Sequence, residues 1–271
     1  MKKIIFNSLI PVLILIFSSC EKDFDELNTN KTSPIAIDPA FQLNTALVNI
    51  SFPTGSLIYE IGIVQQVISP NSGVLTGANY NQDNRLSTDD IWVQYFRSVI
   101  RNTKDIIKRT EGVADRSNLQ NMARILQSYA FMVLTDTYGD IPYEQGGTGY
   151  TEQVFFPEYE AQQDIYPKII AELKAATAAL NPAGKIESAD VLYGGDIAKW
   201  KKFGYSLLLR AGMRLSEVNP ATAQQVVADA VAGGVILSNA DNAMLRHDPN
   251  YQQPIGGTLN ATEAANFYLT E

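Results

Sequence analysis

From residue 88 to residue 232 the apolar residues of this chain recur at steps of three and four and nowhere settle into alternation. That period gives each segment one apolar stripe along a helix, and each stripe needs a neighbour to cover it. Thr88-Asp89-Asp90 is predicted to cap a helix whose inner positions are Ile91, Trp92, Tyr95, Phe96, Val99, Thr103 and Ile106. A partner helix is predicted over 118–138, with Leu119, Met122, Ile125, Leu126, Tyr129 and Val133 on one side. Gly139 ends it and Pro142 bars a restart. Further helices are predicted over 161–180, 197–216 and 221–232, the first ended by Asn181-Pro182 and the last by Gly233-Gly234. Upstream, Phe41, Ala46 and Ile50 share a face before Pro53, and Leu57 to Ile68 reads as an apolar helix stopped by Pro70. Loops join the helices into antiparallel pairs, so the expected fold is all-α, a tetratricopeptide-like helical-pair superhelix. Ala130, Ala175, Ala178 and Ala211 are expected where paired helices approach closely. Any sheet is expected to be a short hairpin.

The N-terminus carries an address rather than a fold. Lys2 and Lys3 precede an apolar run from Ile4 to Phe17, then Ser18, Ser19 and Cys20. A positive start, a short apolar stretch and small residues make a signal peptide over 1–19, and the run is too short to cross a bilayer. Cys20 is the only cysteine, which rules out an internal disulfide. It stands where the bacterial lipoprotein box places its acylated residue, although Phe17 replaces the usual leucine. Two acyl chains on Cys20 would hold the protein firmly at a membrane. Residues 20–39 read as an acidic tether, with Glu21-Lys-Asp-Phe-Asp-Glu26 directly behind the lipid. The chain's net charge of −8 becomes more negative once Lys2 and Lys3 are cleaved off, which disfavours nucleic acid and anionic lipid head groups as ligands.

Several motifs, in order, resemble one family. Asp136-Thr-Tyr-Gly-Asp-Ile-Pro-Tyr143 follows an apolar helix. Asp190-Val-Leu-Tyr-Gly-Gly-Asp-Ile-Ala-Lys-Trp-Lys-Lys-Phe203 leads into the next, with Leu207-Leu-Leu-Arg210, Met213-Arg-Leu-Ser216 and Ser238-Asn-Ala-Asp-Asn-Ala243 beyond. Together with the Cys20 box and Asp25-Glu-Leu-Asn28, these resemble the SusD/RagB-type nutrient-binding lipoproteins. The resemblance implies a surface protein of the outer membrane that caps a TonB-dependent, SusC-like β-barrel and captures oligosaccharides, or in some branches peptides. It implies binding without catalysis and no cofactor. Family chains run about twice this length, so residues 40–271 are expected to be a truncated domain lacking its C-terminal part.

The residues themselves support little chemistry. His247 is the only histidine, and no zinc or phosphate-loop motif occurs. Asp136, Asp140 and Glu144 invite a glycosidase reading. The turn around Tyr138, Gly139, Asp140 and Pro142 favours a structural role, with Asp140 accepting local backbone N–H groups. A surface glycosidase and a helical scaffold with only protein partners are the alternatives to a binding protein. Trp92 and Trp200 lie on apolar helix faces and are expected in the core. Asn79, Tyr80, Asn81 and Arg85 place amides and a guanidinium beside an aromatic ring in the 70–87 loop, a combination suited to polyhydroxyl ligands. The competing reading there is a solvated turn. Tyr143, Tyr150, Phe155 and Phe156 around the 144–157 loop are a second candidate, unless Phe155-Phe156 simply packs.

Overall fold

The computed structural model describes residues 37–51, 53, 60–68, 85–247 and 268–269, and for 67–68, 85–87 and 268–269 it describes the backbone alone. The chain divides into two compact units, Met1–Ile37 and Asp38–Glu271, and the architecture below is that of the second. Helix α1 spans Pro39–Val48. Asp38 caps it, accepting from Ala40 N at 2.8 Å, and Pro39 occupies a first-turn position where no N–H is missed. Ala40, Leu43, Ala46 and Leu47 are its buried residues, whereas Phe41 is exposed. The face expected from Phe41, Ala46 and Ile50 is therefore rotated, because residues 40, 43, 46 and 47 form the tighter stripe.

Helix α2 runs Arg85–Gln94, a π-helical turn spans Tyr95–Ile100, and α3 continues over Arg101–Thr110. Thr88-Asp89-Asp90 is thus inside the helix rather than its cap, since the helix begins three residues earlier. Ile91, Tyr95, Val99, Thr103 and Ile106 are buried as the period required, and Ile100 joins them. Helix α4 spans Ser117–Tyr138, the one-turn α5 Gly149–Glu152, α6 Gln162–Ala179, α7 Ile197–Arg214 and α8 Pro220–Gly233. From α3 onward each long helix packs chiefly on the next, α3 on α4, α4 on α6, α6 on α7 and α7 on α8. That nearest-neighbour order is the tetratricopeptide-like stack, and one continuous core runs through it.

Two features differ from the expected stack. Ala175 and Ala178 are exposed, and the close approach of α6 to α7 falls instead at Gly204. A Cβ there would lie 2.2 Å from Thr177 Oγ1, so only glycine admits that spacing. The sheet is also not a hairpin. β1 (Val67–Ile68) pairs antiparallel with β2 (Tyr268–Leu269), joining segments distant in sequence. Val67 and Ile68, expected in a helix, are β-branched and suit the extended backbone.

The loop before α7 is held by one carboxylate. Asp190 is buried and accepts from Leu192 N, Tyr193 N, Gly195 N and, at 2.7 Å, the indole Nε1 of Trp200. Trp200 is fully buried, as expected of its helix face. Arg116 ties the start of α1 to the same loop, pairing with Asp38 and reaching the buried Glu187 at 3.1 Å.

Candidate functional site

Gly139 stops α4 with φ 79° and ψ −114°, a region that residues with a Cβ avoid. The reversal that follows organises everything around it. Ile141 and Glu160 exchange backbone hydrogen bonds of 3.2 and 2.9 Å in an isolated antiparallel bridge. Asp140 accepts from Gln162 N at 3.0 Å. It was expected to serve local N–H groups. Instead it serves the first N–H of α6, a helix whose own N-cap residue, Ala161, has no side-chain acceptor. Gln162 Nε2 returns a bond to Thr135 O at 2.6 Å, and Pro142 is buried in the turn.

The bridge places Tyr159 beside the end of α4, where an aromatic platform forms. Trp92 and Tyr159 stack nearly parallel, with centroids 5.9 Å apart and planes at 14°. Tyr138 meets Trp92 edge-on at 5.2 Å and 87°, and Phe96 meets it at 4.7 Å. Trp92 packs against the core as expected but is only half-buried, and Tyr159 is 64% exposed. Tyr138 also binds backbone: its hydroxyl donates to Thr88 O and accepts from Trp92 N at 3.1 Å. Burial pushes that hydroxyl above the usual tyrosine range, so it keeps the proton it donates.

The neighbouring loop adds ring surface. Tyr150, Phe155 and Phe156 are 87%, 73% and 94% exposed, so Phe155-Phe156 does not pack. Tyr143 does, lying 4.5 Å from Phe131 with Lys168 over its ring. Asn79, Tyr80 and Asn81 lie outside the described residues, as does Cys20. Arg85 is placed only as the first residue of α2, the helix that carries Trp92. Sequence reasoning missed Tyr159, because a lone tyrosine in a loop shows no sign of the backbone bridge that seats it.

The three hallmark carboxylates are all engaged. Asp136 accepts from Tyr166 Oη at 2.5 Å and pairs with Arg214 at 2.9 Å. Glu144 pairs with Lys168 at 2.9 Å, and Asp140 holds α6. A cleft of about 1080 Å³ opens between α6, α7 and α8, with Asp136, Tyr166, Arg214 and Lys174 among its walls. Its charged groups serve one another, Asp136 with Arg214 and Lys174 with Asp229 at 2.5 Å. Among the described residues, no cluster of histidine, cysteine, aspartate and glutamate suits a metal, and no helix is long and apolar enough to cross a membrane.

A family model described as starch-binding and associating with the outer membrane, SusD-like, matches residues 30–267. Among solved structures, a chitin-binding protein is 29% identical with a TM-score of 0.76, over 86% of this chain and 51% of its own. A Bacteroidetes SusD-like protein, AC2a, is 30% identical with a TM-score of 0.68, over 78% of this chain and 40% of its own. A chitin-binding SusD homologue from Flavobacterium johnsoniae is 25% identical with a TM-score of 0.72, over 86% and 50%. The chain thus spans about half or less of the length of these relatives. No curated protein matches its sequence. The hallmark turn, the stacked helical pairs and these likenesses agree, and the chain belongs to the SusD-like family.

Proposed function

We propose that this chain is part of a cell-surface lipoprotein that captures oligosaccharides for uptake across the outer membrane. The observation that carries the reading is the Trp92–Tyr159 pair, parallel rings with most of Tyr159 in water. A pyranose presents a flat C–H face that covers such a ring and removes its apolar area from water. Similarity to proteins described as starch- and chitin-binding supports neutral glycans as the ligand class. Asn79, Tyr80, Asn81 and Arg85 would supply hydrogen bonds to the sugar hydroxyls, and Phe155 and Phe156 an additional apolar edge.

The rest of the proposal concerns where the protein sits. Residues 1–19 are removed, Cys20 is acylated, and residues 20–39 tether the domain that follows to the outer membrane. The receiving partner is a TonB-dependent, SusC-like β-barrel. No bond is broken in this scheme, so the protein is not an enzyme. Hydrogen bonds spent within the fold by Asp136, Asp140 and Glu144 support that assignment.

The test is a calorimetric titration of the purified protein with chitin, malto- and xylo-oligosaccharides, followed by chromatography of the incubated sugars. Saturable binding of at least one glycan with no shorter product is expected. Turnover would replace the binding protein with a glycosidase. No heat and no product with every glycan would leave a scaffold or a peptide binder.

A further inference from the structure

Thr88 and Trp92 are four residues apart on α2, so the carbonyl of one and the N–H of the other form one rung of the helix ladder. The Tyr138 hydroxyl is seated on that rung, donating to Thr88 O and accepting from Trp92 N at 3.1 Å. The hydroxyl thereby ties the α2 backbone at Trp92 to the end of α4. The π-helical turn Tyr95–Ile100 begins only three residues further on, so Trp92 lies close to a departure from α geometry.

The direction of Tyr138 is itself fixed from the far side. It is the last residue of α4, immediately before the positive-φ Gly139. Thr135 Oγ1 donates to Gly139 O at 2.6 Å, and the Ile141–Glu160 bridge closes the turn. The turn that aims Tyr138 is also the turn that seats Tyr159. Both rings of the platform are therefore referenced to one reversal, Tyr159 through the bridge and Trp92 through the Tyr138 hydroxyl and ring edge.

We propose that Tyr138 is a positioning residue for the ligand platform, its hydroxyl on the Thr88–Trp92 rung setting the angle at which Trp92 meets Tyr159. This rests on the platform being the glycan site. Without the hydroxyl, the α2 backbone at Thr88 and Trp92 loses its tie to the end of α4, and Trp92 turns relative to Tyr159. Stability changes little because the ring that a phenylalanine keeps still packs edge-on against Trp92, whereas alignment of the platform is lost.

The experiment compares Tyr138→Phe, Tyr159→Ala and the unaltered protein, titrated with chitin hexaose and maltoheptaose, alongside thermal melts. Iodide quenching reports Trp92 separately, because the only other tryptophan, Trp200, is fully buried. The Tyr138→Phe protein is expected to melt within about 2 °C of the original. Its Kd should rise about fivefold, and its quenching constant without ligand should change. Tyr159→Ala should lose binding of both sugars. An unchanged Kd in Tyr138→Phe while Tyr159→Ala loses binding would overturn the positioning role and leave the site intact. A weaker Kd accompanied by a lower melting temperature and unchanged quenching would also overturn it, in favour of a merely structural role. Full binding by Tyr159→Ala, or none by the original protein, would remove the site and the positioning role together.

Discussion

Asp140 and Gln162 are joined by a 3.0 Å hydrogen bond that spans the reversal between α4 and α6, with the carboxylate of one helix's exit capping the other's entry. The bond sits directly after Gly139, whose backbone makes the reversal possible. The hallmark motif is thus a joint between two helical pairs, and the aromatic platform is built on that joint.

Gly139→Val should destabilise the protein by about 1–3 kcal/mol, since φ 79° is costly for a β-branched residue. The cost is one of backbone conformation, because nothing lies within 4 Å of where a Cβ would be. Thermal denaturation followed by circular dichroism checks this. An unchanged Tm would mean that the turn tolerates a Cβ.

Much of the helical stack is legible in the sequence. Five long helices follow from a period of three and four, and their ends follow from Gly139, Asn181-Pro182 and Gly233-Gly234. What escapes are the pairings that carry no periodic signal, some within a loop and some between distant segments. The Asp190–Trp200 hub, the Arg116 link to Asp38 and Glu187, and the β1–β2 pair leave no local periodicity. The site divides in the same way. Tyr138, Gly139 and Asp140 stand out in the motif, but the Trp92–Tyr159 stack depends on a bridge between residues 141 and 160. The apolar helix stripe correctly puts Trp92 against the core, but a stripe alone does not tell that part of the residue stays in water beside Tyr159.

Asp190→Ala should cost about 3 kcal/mol or more, because it leaves four donors without their acceptor in a buried loop. Near-ultraviolet circular dichroism should show the Trp200 environment altered. A variant with native Tm and native Trp200 signal would show that the carboxylate is dispensable to the loop.

The Asp38 carboxyl is held below its ordinary value of 3.8 chiefly by the N–H of Ala40, with Arg116 adding to the effect. A lowered acid favours the folded state when ionised. Its contribution is therefore full above the ordinary value and disappears as pH falls through the lowered one. Glu187 on the other side of Arg116 is pushed up by burial, so its effect runs the opposite way. Comparison with Asp38→Asn isolates Asp38. The Tm gap between the two proteins should be constant near neutrality and shrink toward zero as the pH is taken well below 3.8. A gap independent of pH would contradict the assignment.

Cys20→Ser should abolish incorporation of a fatty-acid analogue and release the protein from the membrane fraction. Metabolic labelling of cells expressing both forms checks it. Equal labelling would show that the acyl group is elsewhere or absent.

The exposed ring of Tyr159, stacked on Trp92, bears the central claim that this protein captures glycans on an aromatic platform. The direct measurement is the Kd of Tyr159→Ala against that of the unaltered protein, by calorimetry with the tightest-binding oligosaccharide. A loss of at least about tenfold, some 1.4 kcal/mol, with an unchanged Tm is predicted. Equal affinity in the two proteins would contradict the platform as the binding site.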